Sequence, residues 1–506
     1  MSSTNELIFA KRHMVLVFFM TLGFVGLVGR GLYLHVIDQE FLRRQGDARI
    51  VREEPIAAHR GILKDRNGLP LAVSTPVVSI YVNPKEALAR KLDVRALASA
   101  LDLDATSVLR RLKANSKREF MYVKRHLSPE AAEAVLASEM PGVYGMTEYR
   151  RFYPEGEVTS HLLGFTNLDD VGQEGLELAF DEKLRGESGA KKVLLDRKGR
   201  KVKDVALIRP ARTGQDIYLS FDARTQYLAY RELATAIAQH GAKAGTAVAL
   251  DVETGEVLAM VNQPSFNPNN RTKLKPDELR NRAVTDMFEP GSTMKPFTVA
   301  VALESGKYTA RSLLNTNPGS YRVHNKLVTD HQNYGVIDLG TVITKSSNVG
   351  TTQIALSLPP ETLPTFFARF GFGKSTGSGF PGESPGRLQP PERWRPVEIA
   401  TMSYGYGLTT TALQLAHGYA TLASGGIARP VSFTKVEGPV KGERVIAQKI
   451  AEQLIPMMES VVTQDGTAMK AAVPGYRIAG KTGTAHKAVG GSYSADQYMS
   501  TFVGMA

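Results

Sequence analysis

Ser292 and Lys295 stand three residues apart in the run Glu289-Pro-Gly-Ser-Thr-Met-Lys-Pro-Phe297. On a helix, positions i and i+3 share a face and their side chains meet. Pro290 and Gly291 predict a turn that ends where a helix begins. Pro296 fits only the first helical turn, where its missing N–H is no loss. The pair suits nucleophilic chemistry. A serine hydroxyl needs an adjacent base, and a lysine becomes one when crowding or burial keeps it neutral. The helix N-terminus favours the developing anion.

A lone Ser-x-x-Lys proves little, since Ser188-Gly-Ala-Lys191 and Ser432-Phe-Thr-Lys435 match it too. Two further motifs single out Ser292. Ser346-Ser347-Asn348 follows it along the chain, and Lys481-Thr482-Gly483-Thr484 comes later still. Ser-x-Asn recurs at Ser265-Phe-Asn267 and Ser3-Thr-Asn5, but Lys-Thr-Gly occurs once, after an apolar lead that predicts a strand. In this order the trio is the pattern of the penicillin-recognising serine acyltransferases.

The elements that must position these residues fall into parts. With 506 residues the chain is long enough for two to four domains. Its net charge of +12 raises nucleic-acid binding first, but no Lys/Arg-dense tract supports that. Attraction to anionic lipid or an anionic polymer explains the charge as well. There is no cysteine, which excludes disulfides, thiolate nucleophiles and cysteine metal sites. Met14–Gly29 is uncharged and almost wholly apolar, so a helix over 13–36 is long enough to span a bilayer. Lys11 and Arg12 on its near side argue for residues 1–12 in the cytoplasm. The run is longer than a signal-peptide core and lacks a clear cleavage site, which favours an uncleaved anchor.

Along the rest, 38–60 reads as a membrane-proximal stalk. Arg66-Asn67-Gly68 predicts a hairpin turn and Val77–Val82 a strand. Helices are expected over 86–115 and 128–139, with Ser128-Pro129 as the start signal of the second. Arg150-Arg-Phe-Tyr-Pro154 is expected to be a strand entering a core. The Lys/Arg-rich stretch 187–212 reads as strands with solvated edges. From 213 the texture changes. A strand over Gly214–Asp222, a helix over Arg224–His240 and a hairpin turning on Glu253-Thr-Gly255 precede a helical middle with segments 294–305, 338–345, 360–371 and 410–424. Residues 381–396, with their prolines, read as an irregular loop. The strand bearing Lys481 closes an α+β layered pattern.

With these motifs placed, the chain resembles the class B penicillin-binding proteins, the D,D-transpeptidases of peptidoglycan. Within that class it is most similar to the division-type branch, the penicillin-binding protein 3 family of Gram-negative bacteria. The resemblance rests on Phe288–Phe297, Lys345–Gly350, Tyr404-Gly-Tyr-Gly407 with Gln414-Leu-Ala416, and the upstream runs Arg60-Gly61…Asp65-Arg66…Gly68, Arg151-Phe-Tyr-Pro154…His161 and Gly172–Glu177. It implies an α+β protein with one transmembrane helix. A mixed α/β, non-catalytic pedestal of the dimerisation type would occupy 37–212. A transpeptidase domain of serine β-lactamase-like fold, an antiparallel sheet flanked by helices, would occupy 213–506. The family continues with a strand and a C-terminal helix beyond the point matching Ala506.

The resemblance also implies roles. Ser292 would be acylated by the penultimate D-alanine of a stem pentapeptide and Lys295 would take its proton. Ser346 would relay a proton, and Asn348 would hold the lysine and substrate. Lys481 and Thr482 would bind the substrate carboxylate, Gly483 would leave room for the peptide, and the N–H groups of Ser292 and Thr484 would form an oxyanion hole. β-Lactams would acylate Ser292 as substrate mimics. The expected setting is the inner membrane with a periplasmic catalytic domain. The expected partners are a SEDS-type glycan polymerase and division proteins, and no cofactor or metal is implied. The competing readings are an elongation-type enzyme, a catalytically dispensable division scaffold, and a β-lactam sensor, for which a cytoplasmic segment of residues 1–12 leaves little room for an effector. A β-lactamase would need a carboxylate to activate the deacylating water, and no motif supplies one.

Overall fold

The computed structural model describes residues 3–40, 51–195, 201–272, 274–390, 392, 394–489 and 492–506. An α-helix, Ser3–Leu32, continues into a π-helical turn, Tyr33–Ile37. Its stretch Arg12–Ile37 is long and apolar enough to cross a membrane, and its large apolar side chains are exposed. Residues 41–50 of the expected stalk lie outside the described residues.

Beyond this helix the chain forms two compact units, and they do not divide at a single cut near residue 213. One unit comprises Met1–His59, Pro76–Glu148 and Gly186–Thr213. The other takes Arg60–Thr75, Tyr149–Arg185 and Gly214–Ala506. The pedestal expected over 37–212 therefore lends two segments to the second unit. The reason is a set of strong bonds between parts of the chain that are far apart in sequence. Leu63–Lys64 pairs in parallel with Ile217–Tyr218, and the buried guanidinium of Arg60 donates to Glu177 and Asp181. Arg151 joins the same cluster through Glu177 at 2.5 Å. The expected strand through Arg150–Pro154 is present as Val143–Phe152, but Arg151 enters the interior as an ion-pair partner and not as apolar filling. Buried charges persist only when paired and hydrogen-bonded, as these are.

The first unit contains a three-stranded antiparallel sheet ordered Val51–Ile56, Gly189–Leu195, Lys201–Arg209. Its core gathers Ile80, Val82, Leu97, Val108, Leu112 and Val135. The single helix expected over 86–115 is three, Pro84–Ala89, Val94–Ala100 and Ala105–Ala114. Asp93 and Asp104 each accept backbone N–H bonds at a new helix start, and a capping aspartate competes with helix continuation. Ser128 caps Pro129–Leu136 as expected.

In the second unit the helix Lys295–Glu304 runs through the centre, with every residue from Lys295 to Ala302 buried. A helix without a polar stripe must be surrounded. Helices Leu339–Thr344, Asn348–Ser357, Thr362–Arg369, Ala412–Ala423 and Gln448–Glu459 contribute to the same core. Phe297 meets Phe370, Phe372 and Tyr419 edge-on, at centroid distances of 5.0, 5.2 and 5.4 Å. Among the antiparallel pairs of the unit are the hairpins Gly245–Leu250 with Val257–Gln263 and Ala479–Val489 with Ser492–Met505. The strand expected over Gly214–Asp222 is reduced to Ile217–Tyr218.

Candidate active site

The segment that carries Ser292 is a short 3₁₀ turn, Gly291–Met294, feeding the α-helix at Lys295. Pro296 lies in the first helical turn, where the sequence requires it. Gly291 enters the turn at φ +56°, a conformation that costs a residue with a Cβ. The turn is tied on several sides. Phe288 and Thr410 exchange two backbone bonds of 3.0 and 2.9 Å, and the Gly291 N–H donates to the carbonyl of Gly405 at 3.1 Å. The Glu289 carboxylate accepts from the Gly407 N–H at 2.8 Å and the Tyr493 hydroxyl at 3.1 Å. Tyr419, buried, donates to the carbonyl of Thr293 at 2.7 Å.

Lys295 is fully buried. Its Nζ donates to the carbonyl of Ser346 at 2.5 Å, to Ser346 Oγ at 3.0 Å and to Asn348 Oδ1 at 2.8 Å. These acceptors occupy all three donors of an ammonium. Burial and the nearby Lys481 push its pKa well below the ordinary lysine value, while Asp330 pulls the other way. Ser346 stands at φ +58° after the helix Leu339–Thr344. Asn348 opens the next helix, with Ser347 as its N-cap. Two helices thus abut at the motif, and their junction turns Ser346 and Asn348 toward the lysine. Among the described residues, Lys295 Nζ makes no hydrogen bond to Ser292 Oγ. For Lys295 to take the serine proton, Nζ must give up a donor and turn its lone pair toward Oγ.

Lys481 is buried in the strand Ala479–Val489, opposite Val503. Its Nζ donates to the Thr482 carbonyl at 2.9 Å, and burial lowers its pKa to about 7. Thr482 Oγ1 pairs with Thr467 Oγ1 at 2.7 Å. The strand backbone lies against the turn that carries Ser292. A Cβ on Gly483 would sit 2.8 Å from the Pro290 carbonyl oxygen, and one on Gly291 would sit 3.1 Å from the Thr484 carbonyl oxygen.

The structure therefore gathers the three motifs around one turn. Lys295, Ser346 and Asn348 bond directly. Gly483 and Thr484 border the turn that carries Ser292, and Lys481 is near enough to perturb Lys295. The other two Ser-x-x-Lys matches are engaged elsewhere. Lys191 is a strand residue facing Glu54 and Asp204, and Lys435 donates to the carbonyl of Arg66. Sequence reasoning missed Glu289, Tyr493 and Asp330. Glu289 stands inside the motif run, so only its distant partners were hidden. Asp330 carried no local signal at all.

Residues 245–506 match the family described as the penicillin binding protein transpeptidase domain, and residues 55–219 match the penicillin-binding protein dimerisation domain. The chain is 44% identical over 485 residues to the peptidoglycan D,D-transpeptidase FtsI of Escherichia coli K12, covering 95% of this chain and 82% of that protein. It is 40% identical over 495 residues to the probable peptidoglycan D,D-transpeptidase PbpC of Pseudomonas aeruginosa, with coverages of 98% and 88%. Among solved structures it resembles the transpeptidase domain of Burkholderia pseudomallei penicillin-binding protein 3. There the TM-score is 0.53 at 43% identity, over 57% of this chain and 83% of that one. It also resembles Mycobacterium tuberculosis penicillin-binding protein 3 complexed with aztreonam. There the TM-score is 0.70 at 27% identity, over 90% and 88%.

Proposed function

This chain belongs to the penicillin-binding transpeptidase family, and from that premise we propose that it cross-links peptidoglycan during division through an acyl-enzyme at Ser292. In the first step Ser292 Oγ bonds to the carbonyl carbon of the penultimate D-alanine and its proton passes to Lys295 Nζ. The tetrahedral intermediate collapses, and the C–N bond to the terminal D-alanine breaks. The leaving amine takes a proton relayed by Ser346. An amine of a neighbouring stem peptide then attacks the ester, forms the cross-link and returns the proton to Ser292. Water in place of that amine gives carboxypeptidase activity. Asn348 holds the lysine and the substrate amide. Lys481 and Thr482 receive the terminal carboxylate, and Gly483 leaves the strand edge clear. The N–H groups of Ser292 and Thr484 serve the oxyanion, where each such donor contributes about 3–4 kcal/mol to the transition state.

The observation that carries this reading is the buried amine of Lys295, bonded to the Ser346 and Asn348 side chains of the second motif. Burial that pushes the amine's pKa well below the ordinary lysine value favours its neutral form, the one that can act as a base. We assign the helix before residue 37 to a single-pass anchor with its N-terminus in the cytoplasm, and a SEDS-type glycan polymerase as the membrane partner. Labelling with a fluorescent penicillin followed by peptide mass spectrometry tests the site. The adduct is expected on Ser292 and absent from Ser292→Ala. An adduct on another residue would overturn the assignment.

A further inference from the structure

The second motif does not hold itself in place. The strand Lys326–Thr329 delivers the chain to Asp330, which precedes the motif in sequence and packs against it in space. One oxygen of its carboxylate accepts the backbone N–H groups of Asn348 at 2.5 Å and Val349 at 3.0 Å. The other accepts the Ser347 hydroxyl at 2.6 Å. The preceding carbonyl, Thr329, accepts from Asn348 Nδ2 at 2.9 Å, which leaves Asn348 Oδ1 aimed at Lys295. The hairpin that delivers these groups, Ser320–Val323 with Lys326–Thr329, is seated by Val323 and Val328 against Ala400 and Tyr404.

We propose that Asp330 is a positioning residue of the transpeptidase centre, whose carboxylate clamps the Ser346–Asn348 motif around Lys295 and supplies the negative charge that opposes Lys481 there. This rests on the reading of Ser292 and Lys295 given above. The geometry explains why a charge is used. Three donors converge on one carboxylate at the start of the helix Asn348–Ser357, and charge-assisted bonds at a helix N-terminus are among the stronger local restraints. The charged groups that act on Lys295 are Lys481, from the third-motif strand, and Asp330, from the hairpin. Ser346 and Asn348, from the facing turn, present neutral dipoles.

The two functions of Asp330 move different quantities. Loosening the motif lowers the acylation rate. Removing the negative charge disfavours the Lys295 ammonium further, so the amine stays neutral to lower pH. The acidic limb of the acylation–pH profile then moves down. A merely structural defect admits water to the lysine, weakens the desolvation and moves that limb up.

The experiment measures the rate of fluorescent-penicillin acylation of the full chain in detergent against pH, for wild type, Asp330→Asn and Ser347→Ala. Asp330→Asn keeps the shape and removes the charge. It is expected to lower the plateau rate about tenfold or more, as the loss of strong bonds to a charged acceptor implies, and to shift the acidic limb downward. Ser347→Ala, which keeps the charge, is expected to lower the plateau and leave the limb where it is. If Asp330→Asn does not fold, an unchanged plateau in Ser347→Ala still overturns the proposal. So does Asp330→Asn acylating within about twofold of wild type, or with its limb moved upward. A wild-type chain labelled away from Ser292 would instead overturn the underlying assignment, and mass spectrometry of the same samples separates the two failures.

Discussion

Gly405 is the position at which the smallest chemical change should do the most damage to acylation. It lies in the loop after the helix Pro396–Met402 at φ +89°, and its carbonyl accepts the N–H of Gly291. A Cβ there would come within 2.0 Å of the Gly291 carbonyl oxygen and 2.6 Å of its carbon and nitrogen. All three are backbone atoms of the residue before Ser292, so no side chain can swing aside. Restoring an ordinary contact with that oxygen requires the two backbones to part by more than about 1 Å, and misplacement of even that size at a reacting group costs about 100-fold in rate. The positive φ adds about 1–3 kcal/mol of strain to the folded state. Gly438 supplies the control, because it has φ +83° with nothing within 4 Å of its virtual Cβ. Gly405→Ala and Gly438→Ala should both lower the melting temperature by a few degrees. Only Gly405→Ala should slow fluorescent-penicillin labelling by about two orders of magnitude. Labelling of Gly405→Ala at the wild-type rate, or an equal loss in both variants, would refute the claim that this backbone contact sets the nucleophile's position.

Lys481 gives a pH dependence of definite sign. Its pKa is lowered to about 7 by burial, so the free site carries the ammonium below that pH and loses it above. The affinity of the pre-acylation complex for a carboxylate-bearing penicillin should therefore fall as pH rises from mildly acidic to mildly alkaline, while the first-order acylation step does not fall with it. A complex that tightens with pH would contradict this. Lys481→Met should abolish labelling without lowering thermal stability, since a buried cation is replaced by an apolar chain of similar size; a large drop in melting temperature would argue against it. Glu177→Gln removes the charge shared by the buried Arg60 and Arg151. It should cost about 3–5 kcal/mol in chemical denaturation, and a change under about 0.5 kcal/mol would show the cluster to be dispensable.

What the sequence disclosed of the fold follows from the range of the interactions. Helix starts at Ser128 and Asp222 are set by residues within one turn of the cap, and both helices occur where expected. The breaks at Asp93 and Asp104 used the same capping chemistry, but inside a stretch whose apolar periodicity continued across them. The helix Asn348–Ser357 escaped because its residues are buried nearly all round and carry no amphipathic stripe. In Gln448–Glu459 an internal proline, Pro456, masks a helix that tertiary packing holds. The partition into units was not legible either. Arg60 meets Glu177 and Asp181 from a distant part of the chain, and nothing near any of them names its partner.

At the active site the same distinction decides what could be read. Ser292 and Lys295 share a helical face, so their proximity is a local fact. Ser346, Asn348 and Lys481 were legible only as an ordered set of motifs, since separations so long along a chain carry no geometry. Asp330 shows the remaining limit. Its function comes from two oxygens meeting three donors at a helix start, and in the sequence it is one aspartate among many, flanked by a threonine and a histidine. A motif names the side chains that touch substrate because their types are chemically required. The residues that hold those side chains need only supply an acceptor at the right point, and a carbonyl such as Thr329 or Gly405 does this whatever its side chain. Such supports escape a reading by residue type and emerge from the hydrogen bonds alone.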